Sequence, residues 1–77
     1  MPHVIVKLYP GRTDDQKKRL ADAIVRDVVE IAQCAEKSVS VAFEEIAPED
    51  WAEKVYRPDI LGHAEALYRK PGYDPDK

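Results

Sequence analysis

Hydrophobic and polar positions alternate from residue 3 to residue 9, with Val4, Val6 and Leu8 on one face and His3, Ile5, Lys7 and Tyr9 on the other. A period of two with β-branched residues predicts a β-strand, and Pro10-Gly11 ends it with turn chemistry. The spacing changes at Thr13-Asp14-Asp15-Gln16, which has the form of a capping box: the Thr13 hydroxyl meets the third helical amide and Gln16 reaches back. The two acids suit the positive end of a helix. From there Leu20, Ile24, Val28 and Ile31, with Ala21, Val25 and Ala32, form one wide apolar stripe at 100° per residue, opposite Arg19, Asp22, Arg26, Glu30 and Gln33. A helix to about residue 33 is predicted, lying on something flat and apolar.

Alternation returns over residues 38–46, where Val39, Val41 and Phe43 share a face, so a second strand is predicted. Strand, long helix, strand makes a β-α-β unit with parallel strands and a right-handed crossover. After it, Ala47-Pro48-Glu49-Asp50-Trp51 reads as a short helical turn with Pro48 near its first position. Arg57-Pro58 interrupts the chain, and Asp59 is placed to cap a second helix from Ile60 to about Arg69 that ends at Lys70-Pro71-Gly72-Tyr73. Residues 74–77 are expected to be loose. No repeat or linker divides the 77 residues, so residues 1–77 are expected to form a single domain of the α+β class.

Composition sharpens this picture. A chain of 77 residues buries only about 60% of its unfolded surface. One cysteine, Cys34, excludes an internal disulfide, and no Cys and His cluster offers the four ligands of a structural zinc site. Association between chains is therefore the expected way to complete the core. A two-stranded sheet is marginal by itself, which points to edge pairing with a second copy. Twelve Lys and Arg against fifteen Asp and Glu leave a net charge of -3. That balance argues against a nucleic-acid partner, whose binding depends on neutralised phosphates. With 35% charged residues and a mean hydropathy of -0.52, the chain has no membrane-spanning character, and no basic and apolar leader opens it, so a cytoplasmic setting is expected.

The ordinary catalytic inventory is thin. His3 and His63 have no nucleophile or metal partner nearby in sequence and read as surface or half-buried residues; Cys34 reads as packed and inert. The pairs Asp14-Asp15 and Glu44-Glu45 are accounted for as helix-start acids and as alternate faces of a strand. Pro2 is different. If the initiator methionine is removed, its nitrogen becomes a secondary amine at the start of a strand. An α-amino group with a pKa near 8 is about one-tenth unprotonated at pH 7, and an apolar pocket beside a cation would raise that fraction. If Met1 stays attached, the nitrogen is an amide and no base exists.

Pro2 at the head of a short strand, Gly11-Arg12-Thr13-Asp14-Asp15-Gln16-Lys17 opening a helix and Ser38-Val39-Ser40-Val41 opening the second strand together resemble the 4-oxalocrotonate tautomerase family. Met1-Pro2-His3, Trp51 and Lys70-Pro71-Gly72-Tyr73 are similar to its PptA-like branch. The resemblance implies a β-α-β unit with a short turn and C-terminal helix that pairs into a four-stranded sheet in a homodimer, favoured over a hexamer. It implies a tautomerase for a small enol or unsaturated keto acid, a 2-hydroxydienoate or phenylenolpyruvate-like molecule, with Pro2 as general base and no metal or organic cofactor. By the same resemblance Arg12 binds the substrate carboxylate and Trp51 forms an aromatic wall. Ser40 departs from the family, standing where a second arginine polarises the carbonyl; a hydroxyl offers one neutral hydrogen bond where arginine offers a charged fork. Arg57, Arg69 or water would have to make up the difference. Two rival functions follow from the same resemblance: a non-catalytic ligand-binding or interaction module on this fold, and a hydratase or dehalogenase in which a protonated Pro2 acts as an acid.

Overall fold

The computed structural model describes residues 1–75. The chain divides into two compact units, Met1–Glu45 and Ile46–Lys77. The first holds strand β1 (His3–Leu8), helix α1 (Asp14–Ala32) and strand β2 (Ser40–Glu45). The strands are parallel neighbours, with His3 opposite Ser40, Ile5 opposite Ala42 and Leu8 opposite Glu45. This is the expected β-α-β arrangement.

Local sequence accounts for each boundary. Gly11 takes a φ of 124°, in a region that a residue with a Cβ rarely enters, and turns the chain from β1 toward the helix. The capping box forms as expected. The Gln16 amide donates to Thr13 Oγ1 at 3.1 Å, and the Thr13 amide donates to Gln16 Oε1 at 2.8 Å. At the other end Gln33 closes the helix in the left-handed conformation, φ 55° and ψ 61°, a place usually taken by glycine. The second strand starts two residues later than the alternation implied, because Glu36–Ser38 wind into one 3-10 turn, held in part by the Ser38 hydroxyl on the Ala35 carbonyl at 2.7 Å.

The alternation also fixes which face α1 covers. Phe43 lines a shallow hollow with Asp14, Lys17, Lys18 and Ala21 of α1, and Glu45 lies 3.5 Å from the Lys17 ammonium. By period two, Val4, Val6, Leu8 and Val41 share that face, while His3, Ile5, Lys7, Ser40, Ala42 and Glu44 occupy the other. Burial by α1 is partial. Ile24, Val25 and Val28 of its apolar stripe are half-buried, whereas Leu20 and Ile31 remain 42% and 80% exposed.

The second unit departs from expectation in its windings. After the 3-10 turn Pro48–Asp50, residues Ala52–Ile60 form a π-helix that runs through Pro58, and Leu61–Ala66 continue as a 3-10 helix. The C-terminal helical segment therefore starts well before Ile60 and stops before Arg69, and Asp59 lies inside it and does not cap it. A proline inside an α-helix removes one bond and presses its ring on the carbonyl four residues back. The wider π winding passes through that obstacle, and the Leu61 amide is shared between the Tyr56 and Arg57 carbonyls. Among the described residues only Val55 and Tyr56 are buried, both in this unit. The expectation of a loose end over residues 74–77 falls in part on Asp76 and Lys77, which lie outside the described residues.

Candidate active site

Pro2 is half-buried and immediately precedes β1. Its carbonyl accepts the Ser40 amide at 3.1 Å, the first hydrogen bond of the parallel ladder. Ser40 in turn is the first residue of β2 and stands opposite His3. Its hydroxyl lies 2.6 Å from His3 Nδ1. One residue thus holds two consecutive neighbours, Pro2 by the backbone and His3 by the side chain. Met1 beyond them is fully exposed.

Arg12 is exposed in the turn between Gly11 and the Thr13 cap, two residues before the first residue of α1. Unpaired amides at a helix start favour an anion nearby, and a guanidinium there adds a charged fork. Trp51 belongs to the second unit, where it is half-buried. Its indole Nε1 donates to the Tyr73 hydroxyl at 2.8 Å, and the Tyr73 ring meets Tyr56 at 5.7 Å between centroids and 43° between planes. The closing Lys70-Pro71-Gly72-Tyr73 segment is therefore tied back to the start of its own unit.

Of the four residues singled out from sequence, Pro2 and Ser40 are brought into direct hydrogen-bond contact. Arg12 follows on the loop that leaves β1. Sequence reasoning passed over the pairing of His3 with Ser40, since the two are 37 positions apart. The signal that finds it is the register: each stands at the first position of one of two parallel strands. Tyr73 entered only as part of a closing motif, and its bond to Trp51 likewise crosses 22 positions. The other plain readings stand differently. Cys34 is half-buried with its thiol directed at the Val28 carbonyl, 3.9 Å away, and Glu44 and Glu45 reach toward Lys7 and Lys17 respectively. No helix among the described residues is long and apolar enough to cross a membrane.

A proline immediately ahead of β1, an arginine just before the α1 cap and two parallel strands joined by one long helix are the features to set beside known proteins. The chain belongs to the tautomerase family of enzymes, whose description is "Tautomerase enzyme" and which matches residues 2–56. Within it the chain stands with the 4-oxalocrotonate tautomerases of the PptA-like branch. It is 41% identical over 75 residues to "Tautomerase PptA" of Cronobacter sakazakii, covering 96% of this chain and 99% of that one. It is 40% identical over 73 residues to a "Probable tautomerase" of Xylella fastidiosa, covering 95% and 89%. Among solved structures it is similar to YwhB, a homologue of 4-oxalocrotonate tautomerase, with a TM-score of 0.59 and 37% identity over 60% of this chain and 75% of that one.

Proposed function

We propose that this protein is a cofactor-independent tautomerase of the cytoplasm that moves a proton within a small enol or unsaturated keto acid, of the 2-hydroxydienoate or phenylenolpyruvate kind. The base is the Pro2 nitrogen, freed when Met1 is removed. It takes the proton of the substrate's 2-hydroxyl; the electron pair of the broken O–H bond forms the C=O bond, and the resulting prolinium returns a proton to a carbon of the former double bond. Atoms and charge balance within substrate and protein, so the step as written needs no metal, oxidant or organic cofactor. Arg12 holds the carboxylate, Ser40 stands at the carbonyl end of the substrate, and Trp51 is the aromatic wall that the family resemblance implies.

The observation that carries this reading is the placement of Pro2. The residue heads β1 with its carbonyl bound to Ser40, so its nitrogen is the group presented at the strand's beginning. An amine at that position is the one base that no internal residue supplies. Membership of the tautomerase family supports the reaction class.

The exposed apolar side chains support association. Ile5 is 48% exposed on the face away from α1, Leu20 and Ile31 remain 42% and 80% exposed on the helix, and the sheet among the described residues has only two strands. A homodimer that joins two such sheets into one of four strands pairs an edge of each, and is preferred here to a hexamer.

Intact-mass measurement of the native protein tests the first requirement: the mature chain lacks Met1. Steady-state ketonisation of phenylenolpyruvate by wild type and Pro2→Ala tests the second, with kcat expected to fall roughly 10²- to 10⁴-fold. Equal rates above background would remove Pro2 from catalysis, whereas no rate above background in either protein would leave the non-catalytic binding module, which the neutral residue at Ser40 otherwise favours, as the better reading.

A further inference from the structure

We propose that His3, oriented by Ser40, is a second substrate-contacting residue of this site and donates a hydrogen bond from Nε2 to the 2-oxygen of the enol or keto acid. The inference rests on the tautomerase reading above and adds to it a residue and an atom.

The argument starts from the 2.6 Å contact between His3 Nδ1 and Ser40 Oγ. An imidazole has two ring nitrogens, and what one of them does sets the role of the other. When the Ser40 hydroxyl donates to Nδ1, the ring hydrogen lies on Nε2, which becomes a donor. When the ring is protonated, Nδ1 donates to Ser40 and Nε2 still carries a hydrogen. In these two states the face left to a ligand is an N–H, and in the second it carries positive charge. The neutral tautomer with its hydrogen on Nδ1, for which Ser40 accepts, would leave Nε2 an acceptor, so the donor role assigned to Nε2 belongs to the first two states. Ser40 by itself offers only a neutral hydroxyl, and that hydroxyl is already engaged.

Position supports the same assignment. His3 follows Pro2 directly, and consecutive Cα atoms lie about 3.8 Å apart across a trans peptide. Side chains of consecutive strand residues point to opposite faces, but the Pro2 group in question is a backbone nitrogen ahead of the strand, to which that alternation does not apply. Both residues are fixed by the same partner: the Ser40 amide holds the Pro2 carbonyl at 3.1 Å while its hydroxyl holds the His3 ring. His3 is exposed, so Nε2 is open to a small molecule. Removing a proton from a 2-hydroxyl puts developing negative charge on that oxygen, and a donor held in place before the reaction is what such charge requires.

Two measurements test this. The first is the imidazole nitrogen-proton NMR spectrum of the mature protein titrated with phenylpyruvate, with His63 as internal control. The His3 Nε2 resonance is expected to shift saturably while His63 stays in place, and Ser40→Ala is expected to weaken phenylpyruvate binding about threefold or more. A His3 resonance that does not move at saturation overturns the proposal. The second is ketonisation kinetics. His3→Ala is expected to lower kcat about tenfold or more; Ser40→Ala lowers it less, Ser40→Thr restores it, and the double variant is no worse than His3→Ala alone. Wild-type kcat in His3→Ala, with Pro2→Ala inactive, overturns the proposal and leaves the tautomerase reading intact. A His3 resonance that responds to ligand while Pro2→Ala retains full activity upholds the contact and overturns the role of Pro2 instead.

Discussion

The indole nitrogen of Trp51 donates to the hydroxyl of Tyr73 at 2.8 Å, across 22 positions of the chain. This bond closes the C-terminal unit on itself, with the Tyr73 ring also set against Tyr56. Trp51 is the protein's single tryptophan, so its fluorescence reports this contact without interference. Tyr73→Phe keeps the ring contact and removes the acceptor. The expected result is a shifted Trp51 emission maximum and a stability loss of about 0.5–1.5 kcal/mol, the usual net worth of one such bond. An unchanged spectrum would mean that the indole is held by something else.

Arg12→Ala should act on substrate binding more than on turnover. A side chain that holds a carboxylate equally in ground and transition state contributes to KM, so KM for phenylenolpyruvate is expected to rise about tenfold with kcat changed much less. Arg12→Lys should recover only part, because an ammonium cannot reproduce the bidentate fork. Steady-state kinetics of the three proteins checks this.

Thr13→Ala removes the hydroxyl that accepts the Gln16 amide at 3.1 Å and breaks the capping box. About 1 kcal/mol of stability should be lost, read as a lower urea midpoint with the slope unchanged.

Gln33→Gly should do the opposite. Gln33 closes α1 at φ 55°, where a Cβ is disfavoured and glycine is not. Part of that relief is offset by the added freedom glycine gives the unfolded chain, leaving a gain of about 0.5–1 kcal/mol, measured as a raised thermal midpoint.

Much of the first unit was legible because its signals are local. Period two over residues 3–9, period 3.6 from Thr13 onward and the Thr13 to Gln16 spacing each involve neighbours within four positions, and β1, α1 and the cap form where they indicate. The start of β2 was read two residues early because Ser38 and Val39 continue the alternation, while the Ser38 hydroxyl and amide both bond back to Ala35 and hold residues 36–38 in a turn. The second unit was less legible. Proline rules treat Pro58 as a break in an α-helix, and the π winding over residues 52–60 is a different solution to the same steric conflict.

The same contrast runs through the candidate site. Pro2 stood out from its place at the head of a strand, and Arg12 was singled out through the family resemblance. The contacts that make Ser40 more than a replaced arginine, one to Pro2 and one to His3, arise only when the two strands come into register. A sequence read locally assigns His3 to the surface, which is where it lies, and misses that it has a partner there.

The manner in which Pro2 is held has a practical consequence. The ladder grips the residue by its carbonyl, and its nitrogen takes no part in strand pairing. Peptide added ahead of Pro2, whether a retained methionine or a purification tag, should leave the β-α-β unit folded and the spectrum of the protein unchanged. It would nonetheless turn the amine into an amide. Preparations tagged at this end should therefore be well folded and inactive, and the same protein tagged after Lys77 should keep its base.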